Sequence, residues 1–297
     1  MIIWIASYPK SGNTWVRAIL CSLLYSNNGN LRLSELEKIN QFPMKNHFTD
    51  LTDDMFNIKE IAKNWLPAQK KINLDNSIKF FKTHNAFCKY KNFVFTDKKN
   101  TLATIYIVRD PRNIISSLAY HYSLDIDSAK KMLFSSKRVL GNEASYKSKG
   151  HVYTVLGNWA NHYNSWKKLD PENTLFLKYE DLIIDSKLQI LKIANFLKKY
   201  LKVNFTDSVI ENTLLSTEFN NLKFLEKRNG FYESVTNKIT NKKMNFFNLG
   251  KENDWRKFLD DKRFIFYQKK LEAIRTPDGP IDGGYDYYIR RAYAEIN

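Results

Sequence analysis

The sequence predicts a single α/β domain with a largely parallel central sheet flanked by helices, and three observations predict it. Short, mostly apolar runs recur at residues 2–6, 78–82, 102–108 and 173–178, and helical periodicity follows the first, third and fourth. The run at 102–108 is continuously apolar, as suits a strand buried on both faces of a parallel sheet. No internal repeat and no Pro/Gly-rich linker breaks the order, so the strand-then-helix units belong to one domain.

The first unit is the most informative. Ile2-Ile3-Trp4-Ile5-Ala6 leads into Tyr8-Pro9-Lys10-Ser11-Gly12-Asn13-Thr14-Trp15, and residues 16–24 are apolar at helical spacing. Strand, small-residue loop and helix in that order aim backbone N–H groups and a helix N-terminus at one spot, which suits a phosphate group. Lys10 adds a mobile charge, and Ser11 and Thr14 add hydroxyls. A nucleotide-hydrolysing P-loop ends in Gly-Lys-Ser/Thr, whereas this loop has Gly12-Asn13-Thr14 and carries its lysine two residues earlier. A phosphate-bearing ligand fits; Mg-nucleotide hydrolysis fits poorly. A strand-to-helix turn that merely contains Pro, Gly and Lys is the plainer alternative.

Residues 26–76 are polar and irregular, with short helical patterns near 33–39 and 55–65. The second strand, 78–82, ends in Thr83-His84-Asn85, and the third ends in Arg109-Asp110-Pro111. Pro111 sits where a first helical turn tolerates it, and Ile114, Ile115, Leu118 and Tyr122 mark that helix's apolar face. Residues 123–150, rich in Lys and Ser, read as a mobile segment facing the substrate. A helix is predicted over 155–169, with Trp159, Tyr163 and Trp166 on one stripe. A strand at 173–178 precedes Tyr179-Glu180-Asp181-Leu182, and helices are predicted over 186–200 and 207–214.

Composition sets the class. With 297 residues, 43% hydrophobic and 14% aromatic, the chain is a folded globule with a large core. No apolar stretch reaches the roughly 18–20 residues of a membrane span, and the N-terminus has no signal-peptide pattern. Two cysteines, Cys21 and Cys88, make neither a disulfide framework nor a metal site, so a cytoplasmic location is expected. A net charge of +16 suits phosphorylated ligands, acidic substrates or an anionic membrane surface, though a merely solvated basic surface explains it too. The lysines fall in scattered pairs rather than tracts, which disfavours a nucleic-acid partner.

Ligands of open α/β sheets bind beyond the carboxyl ends of the strands. There the strands deliver Lys10, then Lys82 and His84, then Arg109 with Ser117 two turns along its helix, then Tyr179. Two lysines, an arginine and hydroxyls suit a ligand with more than one phosphate, and a histidine among them suits a general base. Each has a bland reading: a structural histidine, an Arg109–Asp110 ion pair at a helix start, a core tyrosine. Their coincidence at strand ends outweighs these readings.

The same residues resemble the soluble, cytosolic sulfotransferases that use 3′-phosphoadenosine 5′-phosphosulfate (PAPS). Tyr8–Trp15 matches their 5′-phosphosulfate loop except at Asn13, where Thr is usual. Lys82-Thr83-His84 matches the segment with the catalytic histidine, and Arg109 and Ser117 match the 3′-phosphate pair. Gly157-x-Trp159-x-x-His162-x-x-x-Trp166 and Tyr179-Glu180-Asp181-Leu182 match further segments. Thr217 and Phe219 match more weakly, and Gly250-Lys251-Glu252-Asn253-Asp254-Trp255 resembles the C-terminal box. The resemblance covers residues 2 to about 258 and implies a sulfotransferase domain over 1–275, with a tail at 276–297 that has no counterpart.

It implies that Lys10 and Lys82 stabilise the departing phosphate and His84 takes the acceptor proton. Ser11, Gly12, Asn13, Thr14, Arg109, Ser117, Tyr179, Thr217, Gly250 and Lys251 would hold the nucleotide, with Trp15 and Phe219 stacking on adenine and no metal required. One departure stands out: the usual Arg-Lys before Gly250 is Asn248-Leu249, unless Lys251 or Lys243 substitutes for the lost cations. A small-molecule kinase and a catalytically weakened nucleotide binder are the rivals. The acceptor is open. Phe42, Phe48, Phe87, Tyr120, Tyr146, Phe231 and Tyr232 suit a phenol, sterol, lipid or sugar, and peripheral membrane contact is compatible with the charge.

Overall fold

The computed structural model describes residues 1–237 and 240–257. The expected tail at 276–297 lies outside the described residues. In chain order, β1 (Ile2–Ser7) and α1 (Asn13–Tyr25) are followed by 3₁₀ turns at Leu33–Lys38 and Lys45–His47. Next come α2 (Ile58–Lys63), α3 (Trp65–Ile72), β2 (Lys79–Thr83), the ribbon of β3 (Lys89–Tyr90) and β4 (Phe93–Val94), and β5 (Thr101–Val108). Then follow α4 (Pro111–Tyr122), α5 (Ile126–Phe134), β6 (Val139–Leu140), α6 (Glu143–Lys149), β7 (Thr154–Val155) and α7 (Trp159–Trp166). The described chain closes with β8 (Thr174–Lys178), α8 (Tyr179–Ile184), α9 (Ser186–Lys198), α10 (Asp207–Ser216), α11 (Phe219–Asn229), the pair β9 (Val235–Thr236) and β10 (Lys243–Met244), and 3₁₀ turns at Gly250–Glu252 and Trp255–Lys257.

The four longer strands form one parallel sheet in the order β2-β1-β5-β8. All six residues of β1 are buried, and their alternation divides the core in two. Ile2, Trp4 and Ala6 join Phe42, Trp65, Tyr106 and Trp166 on one face. Ile3 and Ile5 join α1 (Val16, Ile19, Leu20) and α9 (Ile190, Ile193) on the other. The apolar runs are strands because a sheet covered on both faces needs apolar side chains at every position. Among the described residues no helix is long and apolar enough to cross a membrane.

Three local expectations change. The helix expected over 155–169 begins at Trp159: Gly157 turns the chain at φ 65°, Asn158 caps the helix through the Asn161 N–H, and Thr154–Val155 pairs with β6 instead. The segment 123–150, expected only as a mobile stretch facing the substrate, carries two helices and the short strand β6. Asp125 caps α5, whose Ala129, Met132 and Leu133 are buried, and Asn142 caps α6. The pattern at 55–65 is α2, capped by Asn57, and the chain breaks at Asn64 before α3.

Candidate active site at the carboxyl edge of the sheet

The loop after β1 turns through two residues of left-handed backbone, Lys10 (φ 68°) and Gly12 (φ 100°). Gly12 is required twice over, since a Cβ there would lie 2.5 Å from the Tyr179 ring. Asn13 looks inward: its amide donates to the Ile5 carbonyl (2.9 Å) and to Ser7 Oγ (3.1 Å), tying the loop to the end of β1. No side chain caps α1, which leaves its N-terminal donors to a ligand. The buried Ser11 hydroxyl has no partner among the described residues. Gly12→Ala is expected to cost about 1–2 kcal/mol in backbone strain and about 1–3 kcal/mol in overpacking against Tyr179. Chemical unfolding checks this, and an unchanged midpoint would contradict it.

Lys10 Nζ lies 4.1 Å from the centre of the Phe246 ring and 3.5 Å from His121 Nδ1. Burial, with Lys82 and Arg109 nearby, lowers its pKa to about 7 although Glu233 pulls the other way. Burial and the cation of Lys10 push His121 down to about 2, so His121 faces Lys10 as a neutral imidazole.

Lys82 and His84 come from β2 and the turn after it. His84 Nδ1 lies 2.8 Å from the Ser7 carbonyl. A carbonyl oxygen only accepts, so Nδ1 carries the proton and Nε2 keeps its lone pair. Burial and then Lys82 lower the His84 pKa to about 3, which keeps the ring neutral at physiological pH. The turn is held from behind. His162 Nε2 donates to the His84 carbonyl (3.1 Å), Tyr106 OH donates to His162 Nδ1 (2.8 Å), and Trp166 Nε1 donates to the Asn85 carbonyl (3.0 Å). The conspicuous His and Trp of α7 thus position the backbone of the His84 turn.

Arg109 does not pair with Asp110, whose carboxylate takes Arg112. The Arg109 guanidinium lies 4.0 Å above the Tyr179 ring and donates to the Lys10 carbonyl (3.1 Å) and to Ser117 Oγ (3.4 Å). Its Nε is buried without a partner among the described residues. Asn253 ties the C-terminal box to this pair, donating to Ser117 Oγ (3.0 Å) and the Asn113 carbonyl (2.8 Å). Gly250 (φ 56°) lies so close to Phe219 that a Cβ would be 2.5 Å from the ring. Trp15 donates to the Thr217 carbonyl (2.9 Å) and meets Phe219 edge-on, 67° between planes at 6.4 Å. One ring must turn before a flat base can lie between them. The Thr217 hydroxyl is spent on the Thr213 carbonyl (2.7 Å).

These groups face one cavity of about 1030 Å³, at the upper end of ligand-site volumes and large enough for two small molecules. It brings together Lys10, Gly12, Asn13, Thr14, Trp15, Lys82, His84, Arg109, Ser117, Tyr179, Phe219 and Gly250. Ser11, Thr217 and Lys251 do not line it, and Lys243 does not either. Of the aromatics proposed for an acceptor pocket, only Tyr120 and Tyr232 line it; Phe42 and Phe48 are core. Residues 139–149 contribute a wall that includes Leu140, Asn142 and Lys149.

Sequence reasoning missed Glu233 and Arg17. The Glu233 carboxylate accepts from Arg17 Nη1 (2.5 Å), Lys82 Nζ (2.9 Å) and Thr14 Oγ1 (2.9 Å). Although burial opposes it, Lys82 and Arg17 hold the Glu233 pKa well below the usual carboxylate range. A buried arginine on the apolar helix α1 was the available signal, because such a charge demands a partner.

Fold and site together define an α/β protein with a cationic, multi-donor anion pocket and a neutral histidine beside it. The comparisons narrow the class. The sulfotransferase domain model matches residues 2–273, and the chain belongs to that family of sulfuryl-transferring enzymes. Sulfotransferase 1B1 of Canis lupus familiaris is 27% identical over 91% of this chain and 83% of its own length. The amine sulfotransferase of Oryctolagus cuniculus is 24% identical over 86% and 74%. Mouse sulfotransferase SULT7A1 complexed with PAP (TM-score 0.55, 20% identity) covers 98% of this chain and 88% of that one. Retinol dehydratase in complex with retinol and PAP (TM-score 0.59, 18% identity) covers 95% and 83%.

Proposed function

We propose that the cavity binds PAPS as sulfuryl donor and transfers the group to a hydroxyl or amine of a small organic acceptor, without a metal ion. The observation that carries the reading is the pairing of an anion loop with a neutral, main-chain-anchored imidazole across one cavity. The buried, unpartnered Nε of Arg109, a residue that lines the cavity, fits a ligand rich in anionic oxygens. When bound, the donor supplies an activated sulfuryl group on a phosphate leaving group.

The residues divide the work. Lys10, Ser11, Gly12, Asn13 and Thr14 cradle the 5′-phosphate end, with Asn13 acting through the loop backbone that it fixes. Lys10 and Lys82 stabilise negative charge where it accumulates, in a desolvated site where a lysine counts for more than in water. Arg109 and Ser117 hold the 3′-phosphate, with Tyr179 beneath the guanidinium. Gly250, held against α4 through Asn253, closes that side, and Trp15, Thr217 and Phe219 frame the base. His84 Nε2 takes the acceptor proton. A membrane surface and self-association stay outside the reading, and the expected cytoplasmic location is consistent with the names of relatives such as cytosolic sulfotransferase 8 of Arabidopsis thaliana.

The test is ligand choice. Thermal-shift titrations should show stabilisation by 3′,5′-bisphosphoadenosine (PAP) well above that by AMP or ATP-Mg, and ³⁵S from labelled PAPS should appear on members of a panel of phenols, sterols, amines and sugars. Preference for ATP-Mg would instead establish the kinase reading.

A further inference from the structure

The Glu233 carboxylate occupies a place made for another anion. Its three hydrogen-bond donors come from the first turn of α1 (Thr14), the next turn (Arg17) and the end of β2 (Lys82). Arg17 is 1% exposed and Lys82 9%, so each requires a nearby negative charge. Of the two, Lys82, like Thr14, is also a group that the PAPS reading assigns to the donor's phosphosulfate end. Thr14 has a single O–H, which a carboxylate and a phosphosulfate cannot both hold, and two anions crowded on the one Lys82 ammonium repel each other.

The surroundings favour movement of the side chain over movement of the fold. Glu233 follows Phe231, which is buried in the core, and precedes Ser234, whose hydroxyl donates to Glu226 at 2.5 Å. Glu226 also accepts from the Phe246 and Phe247 N–H groups (2.6 and 2.9 Å), so the backbone on both sides of Glu233 is anchored. Glu233 itself lines the cavity beside Tyr232, whose hydroxyl accepts from Arg17 Nη2 (2.6 Å). The carboxylate can leave its donors by rotating about its own side-chain bonds into that space.

We propose that Glu233 is a displaceable internal anion: its carboxylate neutralises Arg17 and Lys82 and accepts from the Thr14 hydroxyl in the free protein, and yields all three to the anionic oxygens of the incoming donor, making Arg17 an additional donor-binding cation. The inference rests on the PAPS reading of the cavity. In the free protein the carboxylate keeps a cluster of buried cations compensated. On binding, the ligand takes over that compensation, and the apparent affinity is reduced by the fraction of molecules in which Glu233 still holds the site.

Binding of PAPS and PAP without acceptor, measured by calorimetry and stopped flow on the full chain, tests this. Glu233→Gln is expected to tighten PAPS binding by on the order of tenfold, largely through faster association. The same variant should melt lower than wild type without ligand and gain a larger stabilisation from PAPS. Glu233→Asp, whose shorter arm cannot satisfy all three donors, should tighten binding by roughly two- to fivefold, and it carries the comparison if Glu233→Gln does not fold. Unchanged or weaker PAPS affinity in the folded variants, with wild type binding normally, would make Glu233 a fixed structural partner and overturn the proposal. Failure of wild type to bind either nucleotide would instead overturn the PAPS reading, and the exchange with it.

Discussion

Replacing His84 by alanine is expected to lower turnover by about 10²–10⁴-fold while PAP affinity changes only a few-fold. The separation follows from the geometry. His84 lines the cavity, its Nδ1 proton is committed to the Ser7 carbonyl, which leaves Nε2 as the ring's basic nitrogen, and the anion donors are on other residues. The pH profile gives a second readout. As the proposed base, His84 acts in its neutral form, and burial together with Lys82 puts its pKa at about 3. Activity carried by His84 is therefore lost only as pH falls through about 3, and kcat/KM should show no acid limb between pH 5 and 7. Steady-state rates with an accepted substrate, set beside PAP calorimetry, decide the matter: full turnover in His84→Ala would remove the base assignment.

The second large effect concerns Lys10. Lys10→Ala should reduce turnover by about 10²–10³-fold, the usual loss when one preorganised charge-stabilising donor is removed. The wild type should also show a pH-dependent affinity for PAP. Lys10 has a pKa of about 7 in the free protein because of burial, with Lys82 and Arg109 adding repulsion, Glu233 opposing and His121 neutral beside it. An anionic ligand favours the ammonium, so the pKa is higher in the complex. Affinity is then full below about pH 7 and falls by up to about tenfold per pH unit above it, until the pKa of the complex is reached. Calorimetry in buffers of different ionisation enthalpy should detect proton uptake on binding at pH 8, and Lys10→Arg should abolish it. A flat affinity from pH 6 to 9 would show that Lys10 does not titrate in the free protein.

The sheet and the anion loop were legible because their causes are local. Apolar runs form strands covered on both faces, and a glycine forced to φ 100° beside a ring leaves its mark in the sequence. That Lys82, His84, Arg109 and Ser117 share one cavity was legible because strand ends deliver their residues to one edge whatever the intervening chain does. Glu233 was not, because it reaches Arg17 across 216 positions from a polar segment without periodicity. The need was readable in Arg17 on an apolar helix, but 31 acidic residues were candidates to meet it. The order in residues 123–150 was hidden by composition: Lys- and Ser-rich faces masked the few apolar positions, Ala129, Met132 and Leu133, that fix α5. Likewise one glycine, Gly157, delayed the start of α7 past the point its periodicity suggested.

The hydrogen bond between His84 and the main chain of Ser7 has an evolutionary consequence. It fastens the base to β1, the strand from which the Lys10 loop emerges, so both ends of the reacting system are gauged from a single rigid beam. The wall from Leu140 to Lys149 hangs on one short helix, α6, and a two-residue ribbon, β6 with β7. On the proposed reading, descendants of this chain could exchange one acceptor for another by rewriting that wall, leaving the spacing between His84 and the Lys10 loop untouched.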